Sequence, residues 1–136
     1  MLSIAARSAA IVGINFSLNA GIIDSSVGID GTAARTDTKV KWIRDAAGNR
    51  WESLEIQARV HHCVVTEDLN AGTAGVNRLG MDHETALESP HVLVGSVQSI
   101  IDQLRRRRDR WSVSYVTINA TEMHEFAPVV AALRGS

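Results

Sequence analysis

A helix that leads directly into a strand near the carboxyl end of the chain constrains the fold most. Residues 95–119 read GSVQSIIDQLRRRRDRWSVSYVTIN, with Ser96 placed to cap a helix. Apolar residues follow at helical spacing, and four arginines then crowd the expected last turn, where cations complement the helix dipole. Residues 109–112 break the pattern, and residues 113–118 form a β-branched and aromatic run typical of a strand buried on both faces. A helix that feeds a buried strand indicates an α/β fold.

Two further segments carry strand patterns, and helical segments separate them. Residues 10–15 are a short apolar run, and residues 54–65 alternate between an apolar and a polar face. We expect helices over 2–9, 32–47 and 121–133, weaker helical segments over 66–80 and 82–88, and a long polar loop over 16–31. Three strands joined by helical crossovers must be parallel. The sequence therefore predicts one α/β domain, built as a barrel or a doubly wound sheet.

Composition removes several functional classes. The 136 residues carry a net charge of −1 with acids and bases interspersed, so neither nucleic acid nor an anionic membrane is attracted. We interpret the four-arginine run as a solvated helix end. The single cysteine, Cys63, excludes an internal disulfide and a multi-cysteine zinc site, and it favours a cytoplasmic location. The sparse positive charge near Arg7 argues against a signal peptide, and no run approaches the ~20 apolar residues of a membrane span.

Polar residues follow each predicted strand. Asn15 and Ser17 come after the first strand, and Asn119 comes after the third. In parallel α/β folds the working groups lie at the carboxyl ends of the strands. We therefore expect Asn15, Ser17 and Asn119 to line a substrate pocket. Thr66 and Thr121 occupy similar positions, but both are better explained as hydrogen-bonded loop residues or helix caps.

His61 is the fourth pocket candidate. It shares one face of the second predicted strand with Gln57 and Arg59, and that face would line a polar barrel interior. The alternative is a hydrogen-bonded core histidine. The adjacent His62 points to the opposite face, so the two histidines cannot share a metal ion. Because no general base, phosphate-binding loop or familiar catalytic motif occurs, the sequence predicts no catalytic residue and no metal site.

The chain resembles the luciferase-like monooxygenase class, specifically the branch that uses the deazaflavin coenzyme F420. The likeness spans nearly the whole chain and is carried by LSIAARSAAIVGIN, ARTDTKVKWIRDAAG, VVTED, ESPHVLVGSVQSIIDQLRRRRDRW, SYVTINATEM and FAPVVAAL. The resemblance implies the carboxyl-terminal part of a (β/α)8 TIM barrel. Residues 11–15, 54–65 and 113–119 would be its parallel strands six, seven and eight, with flanking helices.

The same resemblance implies coenzyme F420, or alternatively FMN, bound across the carboxyl ends of the strands of the complete enzyme. The reaction would be hydride transfer between the deazaflavin or flavin and an organic small-molecule substrate. The family's substrate and hydride-transfer groups come mainly from the first four strands, so no catalytic or cofactor-binding residue transfers to this chain. We expect the isolated chain to be inactive and to bind neither cofactor. A non-catalytic half-barrel assembly module, or the remnant of a truncated gene, is the alternative.

Three barrel strands taken alone would leave parts of a sheet uncovered. They expose two edges and an inner face, on which we expect Val12, Ile14 and Tyr115 to be partly uncovered. Uncovered sheet edges and faces of this kind favour association with another polypeptide. The expected partner is therefore a second copy of the chain in a homo-oligomer, or a complementing amino-terminal half.

Overall fold

A computed structural model describes residues 1–17 and 25–135 of the chain. Residues 18–24 of the predicted polar loop lie outside the described residues. Helices and strands follow one another in this order: α1 Leu2–Ser8, β1 Ile11–Ile14, α2 Ala33–Ala47, β2 Glu55–Arg59, β3 His62–Val65, α3 Leu69–Thr73, α4 His83–Glu88, β4 Val92–Gly95, α5 Val97–Trp111, β5 Val113–Thr117 and α6 Met123–Leu133. Short 3₁₀ turns occupy Ser25–Gly31, Gly48–Ser53, Val76–Leu79 and Ala120–Glu122.

The strands form two sheets, and every strand pair in them is parallel. The larger sheet has the order β1-β2-β5, in which Ile14 pairs with Ala58 and Ala58 pairs with Val116. The smaller sheet pairs β3 with β4. The expected α/β class with three parallel strands is therefore confirmed.

Residues 54–65 do not form the single long strand that their alternation predicts. The Val60 N–H still donates to the Thr117 carbonyl of β5, at 2.8 Å. The next N–H, that of His61, donates instead to the His91 carbonyl just before β4, also at 2.8 Å. Because the chain changes hydrogen-bonding partners here, it leaves the larger sheet as β2 and enters the smaller one as β3.

The partner of β3 is a strand that the sequence analysis missed. β4 spans only four residues, VLVG, between Pro90 and the helix cap Ser96, and all four are buried. Its two faces lie in different clusters: Val92 and Val94 pack under α4, whereas Leu93 packs against α5 and α6. A run this short has no readable period, so only its burial distinguishes it from a loop.

The predicted helix cap at Ser96 is confirmed, but two helix boundaries differ. Thr32 and Ser96 accept N–H bonds in the first turns of α2 and α5. α5 continues to Trp111, because this indole is buried and its N–H donates to Asp37 of α2 at 2.7 Å. Among the described residues, no helix has the length and apolar character that crossing a membrane requires.

The last helix starts two residues later than expected, at Met123. It buries Phe126 and Val129, whereas the apolar residues Met123 and Val130 are each 57% exposed.

In the described part of the chain, helices cover only one face of the larger sheet. Side chains from α1, α2 and α5 pack on Val12, Ile14, Ile56, Ala58 and Val113. The other side of the sheet, which we call the open face, carries Ile11, Gly13, Glu55, Gln57, Arg59, Tyr115 and Thr117, all exposed or half-buried. The expectation that Val12 and Ile14 would be uncovered is wrong, because they point toward the helices. Ile11 and Tyr115 are the uncovered apolar residues, at 47% and 42% exposure.

One arginine of the four-arginine run is not solvated. Arg107 is buried, and its guanidinium donates to the carbonyls of Ser89 at 2.7 Å, Pro90 at 3.4 Å and Val92. Burial lowers the pKa of Arg107 to about 9, so the side chain stays protonated at neutral pH. It ties α5 to the segment that connects α4 with β4. The other three arginines of the run are exposed, as expected.

Removal of the Arg107 side chain should destabilise the fold strongly. Arg107→Ala leaves buried carbonyl groups without donors, and we expect a loss of about 3 kcal/mol or more in the free energy of unfolding. Urea denaturation followed by circular dichroism measures this loss. Arg106→Ala, at the exposed neighbouring position, is the matched control and should stay within about 0.5 kcal/mol of the parent. Equal effects of the two substitutions would contradict a structural role for the buried guanidinium.

Candidate functional site

A cavity of about 690 Å³ opens at the carboxyl ends of β1, β2 and β5. Asn15 follows β1, His61 follows β2, and Asn119 follows β5. Because parallel strands end at the same edge of a sheet, the three polar side chains meet around one space. The complete lining consists of Asn15, Gln57, Arg59, His61, Arg78, Leu79 and Asn119.

Ser17, the fourth candidate, lies outside this cavity. It borders a neighbouring groove, and its N–H donates to Asp30 Oδ2 at 2.6 Å. The buried Lys39 connects the two places, because its Nζ donates to the same carboxylate at 2.7 Å and to the Asn15 carbonyl at 2.8 Å. Burial alone would raise the pKa of Asp30, but the hydrogen bonds from Lys39 and Ser17 outweigh it and lower that pKa. Ser17 therefore supports the backbone around Asn15.

Thr66 and Thr121 do not line the cavity. Thr66 Oγ1 accepts the Asp68 N–H at 3.1 Å, and Asp68 in turn caps α3. Thr121 is exposed in the 3₁₀ turn before α6. Thr66 is therefore a hydrogen-bonded loop residue, whereas Thr121 caps no helix, because α6 begins at Met123 without a side-chain cap.

Hydrogen bonds define the state of the His61 ring. Its Nε2 lies 2.8 Å from Asn15 Oδ1, and the same oxygen accepts the Phe16 N–H at 2.9 Å. An atom that accepts a backbone N–H is the amide oxygen, so Nε2 of His61 is the protonated nitrogen and Nδ1 is the acceptor. The ring also stacks on Phe16 with its centroid 4.7 Å away.

His61 is neutral at physiological pH. Burial, followed by the positive charges of Arg59 and Arg78, lowers the pKa of His61 to about 4. A histidine with this pKa is a weak general base at neutral pH, because its basicity lies well below the operating pH. It can instead accept a hydrogen bond from a ligand through Nδ1. The side chain is half-buried and hydrogen-bonded, so it combines features of both interpretations that the sequence left open.

The cavity carries two positive charges. Arg59 donates to the Ile118 carbonyl at 2.9 Å and to the side-chain oxygen of Asn119, and Arg78 donates to the His61 carbonyl at 3.0 Å. Within the described part of the chain, neither guanidinium forms an ion pair with a carboxylate. Guanidinium groups with unused donors complement carboxylate and phosphate oxygens. The cavity is therefore suited to an anionic small molecule.

Two residues near the cavity escaped the sequence analysis. Arg78 comes from the 3₁₀ turn Val76–Leu79, which lies inside a segment read only as a weak helix. His91 is fully buried; its Nδ1 lies 2.8 Å from the Arg59 carbonyl, while its Nε2 has no partner among the described residues. Burial lowers the pKa of His91 to about 3, and its ring packs 4.4 Å from Phe16. No sequence motif next to Arg78 or His91 indicated that either residue would lie near the cavity.

The described residues contain no group of three or more His, Cys, Asp or Glu side chains that could hold a metal ion. Comparison of the chain with protein-family models, with characterised proteins and with solved structures gave no significant match. The geometry of the cavity therefore carries the functional interpretation. That geometry offers two guanidinium groups, a neutral imidazole and three side-chain amides, which is a set for binding and orienting a ligand.

Lowering the pH should destabilise the fold before any carboxylate titrates. His61 and His91 have pKa values of about 4 and about 3 in the fold, against an ordinary 6.5. As the pH falls below 6.5, the unfolded chain gains protons that the folded chain does not accept. This stability is complete above that pH and is lost as the pH falls toward 4 and then 3. Between pH ~7.5 and ~5, the fully buried His91 should lower the free energy of unfolding by on the order of 2 kcal/mol.

The measurement is the free energy of unfolding in urea at several pH values across that range. His91→Gln keeps a side-chain donor near the Arg59 carbonyl but cannot titrate, so the dependence on pH should become shallower. His124→Gln, at an exposed position of α6, is the matched control and should keep the parent slope. An unchanged slope in the His91 variant would show that this histidine does not cause the dependence of stability on pH.

Proposed function

We propose that the chain is the carboxyl-terminal part of a (β/α)8-barrel oxidoreductase of the luciferase-like class. The complete enzyme would use coenzyme F420, or alternatively FMN, for hydride transfer to or from an organic small molecule. One observation carries the proposal: three parallel strands, neighbours in one sheet, place a polar cavity at their carboxyl ends. This is the edge at which barrel enzymes and open α/β enzymes bind their ligands.

The one-sided covering of the sheet supports a barrel over a doubly wound arrangement. A doubly wound sheet has helices on both faces, whereas a barrel has helices outside and layered side chains inside. Here α1, α2 and α5 cover one face, and the open face carries rows of side chains such as Gln57 with Tyr115 and Arg59 with Thr117. In the proposed barrel, β1, β2 and β5 are strands six, seven and eight, and the open face looks into the interior.

The residues of the cavity would bind and orient, and the cofactor would supply the redox chemistry. Arg59 and Arg78 provide positive charge for an anionic part of the cofactor or substrate. Neutral His61 offers Nδ1 as an acceptor, and its ring is held in place by Asn15 and Phe16. None of these side chains is an activated nucleophile or a base matched to neutral pH. We therefore assign no catalytic residue to this chain.

The alternative is a non-catalytic half-barrel module, or a truncated-gene remnant, that associates with another polypeptide or with a second copy. In both cases the chain alone is inactive, because strands that complete the site are contributed by a partner. A cytoplasmic location is part of the proposal, and the free, buried thiol of Cys63 is consistent with it.

A complementation experiment tests this function. The chain alone should bind neither F420 nor FMN at tens of micromolar in a fluorescence titration. When it is co-expressed with strands one to five of a luciferase-like F420-dependent enzyme, the purified assembly should bind F420 or FMN with micromolar affinity. Arg59→Ala should weaken that binding roughly tenfold through loss of a charge-assisted contact, whereas Arg106→Ala on the outer helix should not.

Two outcomes would contradict the proposal. Micromolar binding by the isolated chain would make it a working unit without complementing strands. A folded assembly that binds neither cofactor would favour the non-catalytic module.

A further inference from the structure

On the open face, the sign of the charge changes along the central strand. On β2, Glu55 stands at the amino end, Gln57 in the middle and Arg59 at the carboxyl end, all on the same side. Alternate residues of a strand are separated by roughly 6–7 Å, so the two charges are about 13 Å apart with Gln57 midway between them. The pairing register places Gly13 on one side of Gln57 and Tyr115 on the other.

Neither charge is neutralised within the described part of the chain. Glu55 is exposed and forms no ion pair, and Arg59 donates only to a carbonyl and an amide oxygen. An acid and a base at equal distances from a central residue make a surface that is complementary to itself. Two copies related by a two-fold axis can therefore satisfy both charges at once.

We propose that a second copy of the chain docks on the open face with its strands antiparallel, so that Glu55 of each copy faces Arg59 of the other. The two-fold axis lies in the contact plane and crosses the strands at the level of Gln57. An axis parallel to the strands would bring Glu55 against Glu55 and Arg59 against Arg59, which electrostatic repulsion disfavours. The contact goes beyond the function proposed above: it is made by the isolated chain, without a cofactor, and it occupies the face that a complementing half would otherwise cover.

The apolar part of the contact comes from Ile11 and Tyr115, the exposed apolar residues of this face. With the axis across the strands, Tyr115 of one copy lies over Tyr115 of the other, a pairing that aromatic rings favour. Gly13 lies at the same level and presents no side chain, so the backbones can approach. Because Arg59 also lines the cavity, the second copy's Glu55 closes the cavity from above.

The size of the open face sets the expected affinity. Three strands spaced ~4.8 Å apart and about five residues long give a face of roughly 14 by 16 Å. This is well below the ~800 Å² per partner of a standard stable interface. We therefore expect a dimer with a dissociation constant of tens of micromolar, strengthened at low salt because its charges lie near the rim.

Charge reversal tests the geometry. In sedimentation velocity at ~5–200 μM, the parent chain should dimerise, and Glu55→Arg or Arg59→Glu alone should raise the dissociation constant at least tenfold through like-charge contacts. The double variant Glu55→Arg with Arg59→Glu should dimerise again, because the pairs are only exchanged. A mixture of the two single variants should form a heterodimer, since one face is then wholly basic and the other wholly acidic.

Matched reversals away from the face serve as controls. Glu125→Arg and Arg106→Glu, both at exposed helix positions, should leave the dissociation constant within about twofold of the parent. Circular dichroism melting of each variant shows that the fold is retained. A monomeric parent at 200 μM would overturn the proposal, as would single reversals without effect or a mixture of the singles that does not associate. These measurements contain no cofactor, so their failure would leave the oxidoreductase proposal standing.

Discussion

The packing of α1, α2 and α5 on one side of a parallel sheet is the arrangement on which the rest of the molecule depends. The covered side gathers the apolar side chains of β1, β2 and β5 into a core with α1, α2 and α5. The other side is then free to carry polar and charged residues. Since the strands are parallel, their carboxyl ends coincide, and the polar residues that follow them meet around one cavity. The parallel direction of the strands thus determines where a ligand can bind.

The electrostatics of that cavity follow from partial burial. Arg59 and Arg78 are held by carbonyl and amide oxygens, which satisfy donors without cancelling charge. The same two charges help to keep His61 neutral, so the imidazole remains a hydrogen-bond acceptor beside two cations. An anion with a hydroxyl group matches this combination, because the guanidinium groups complement its charge while His61 Nδ1 accepts a hydrogen bond from its hydroxyl group. The arrangement favours recognition over proton transfer.

The elements with strong periodicity were predictable, and those that depend on distant contacts were not. The cap at Ser96 and the strand after α5 follow from local patterns of residue type. β4 was not predictable because four residues have no period. The break between β2 and β3 is set by a hydrogen bond to the His91 carbonyl, 30 residues later in the chain. The local alternation of apolar and polar residues therefore does not indicate it.

The candidate site divides in the same way. Asn15 and Asn119 could be assigned to one edge of the sheet, because strand polarity alone places them there. His61 could be assigned only to the polar face of the second predicted strand, since its position after β2 depends on the break between β2 and β3. Arg78 could not, since it reaches the cavity from a turn whose position depends on tertiary packing. The interior position of Arg107 also differs from the usual solvated arginine, because it satisfies carbonyls that lie 15 to 18 residues earlier.

That short sequence separation bears on the order of folding. Pairing of β2 with β5 joins residues 58 apart, whereas the contacts of Arg107 close loops of fewer than 20 residues. Short loops cost less conformational entropy to close and form earlier. The segment from α4 to α5, with β4 held between them, can therefore organise as a local unit while the larger sheet is still open. It would then offer the late-arriving β2 and β3 a preformed surface against which the strands change partners.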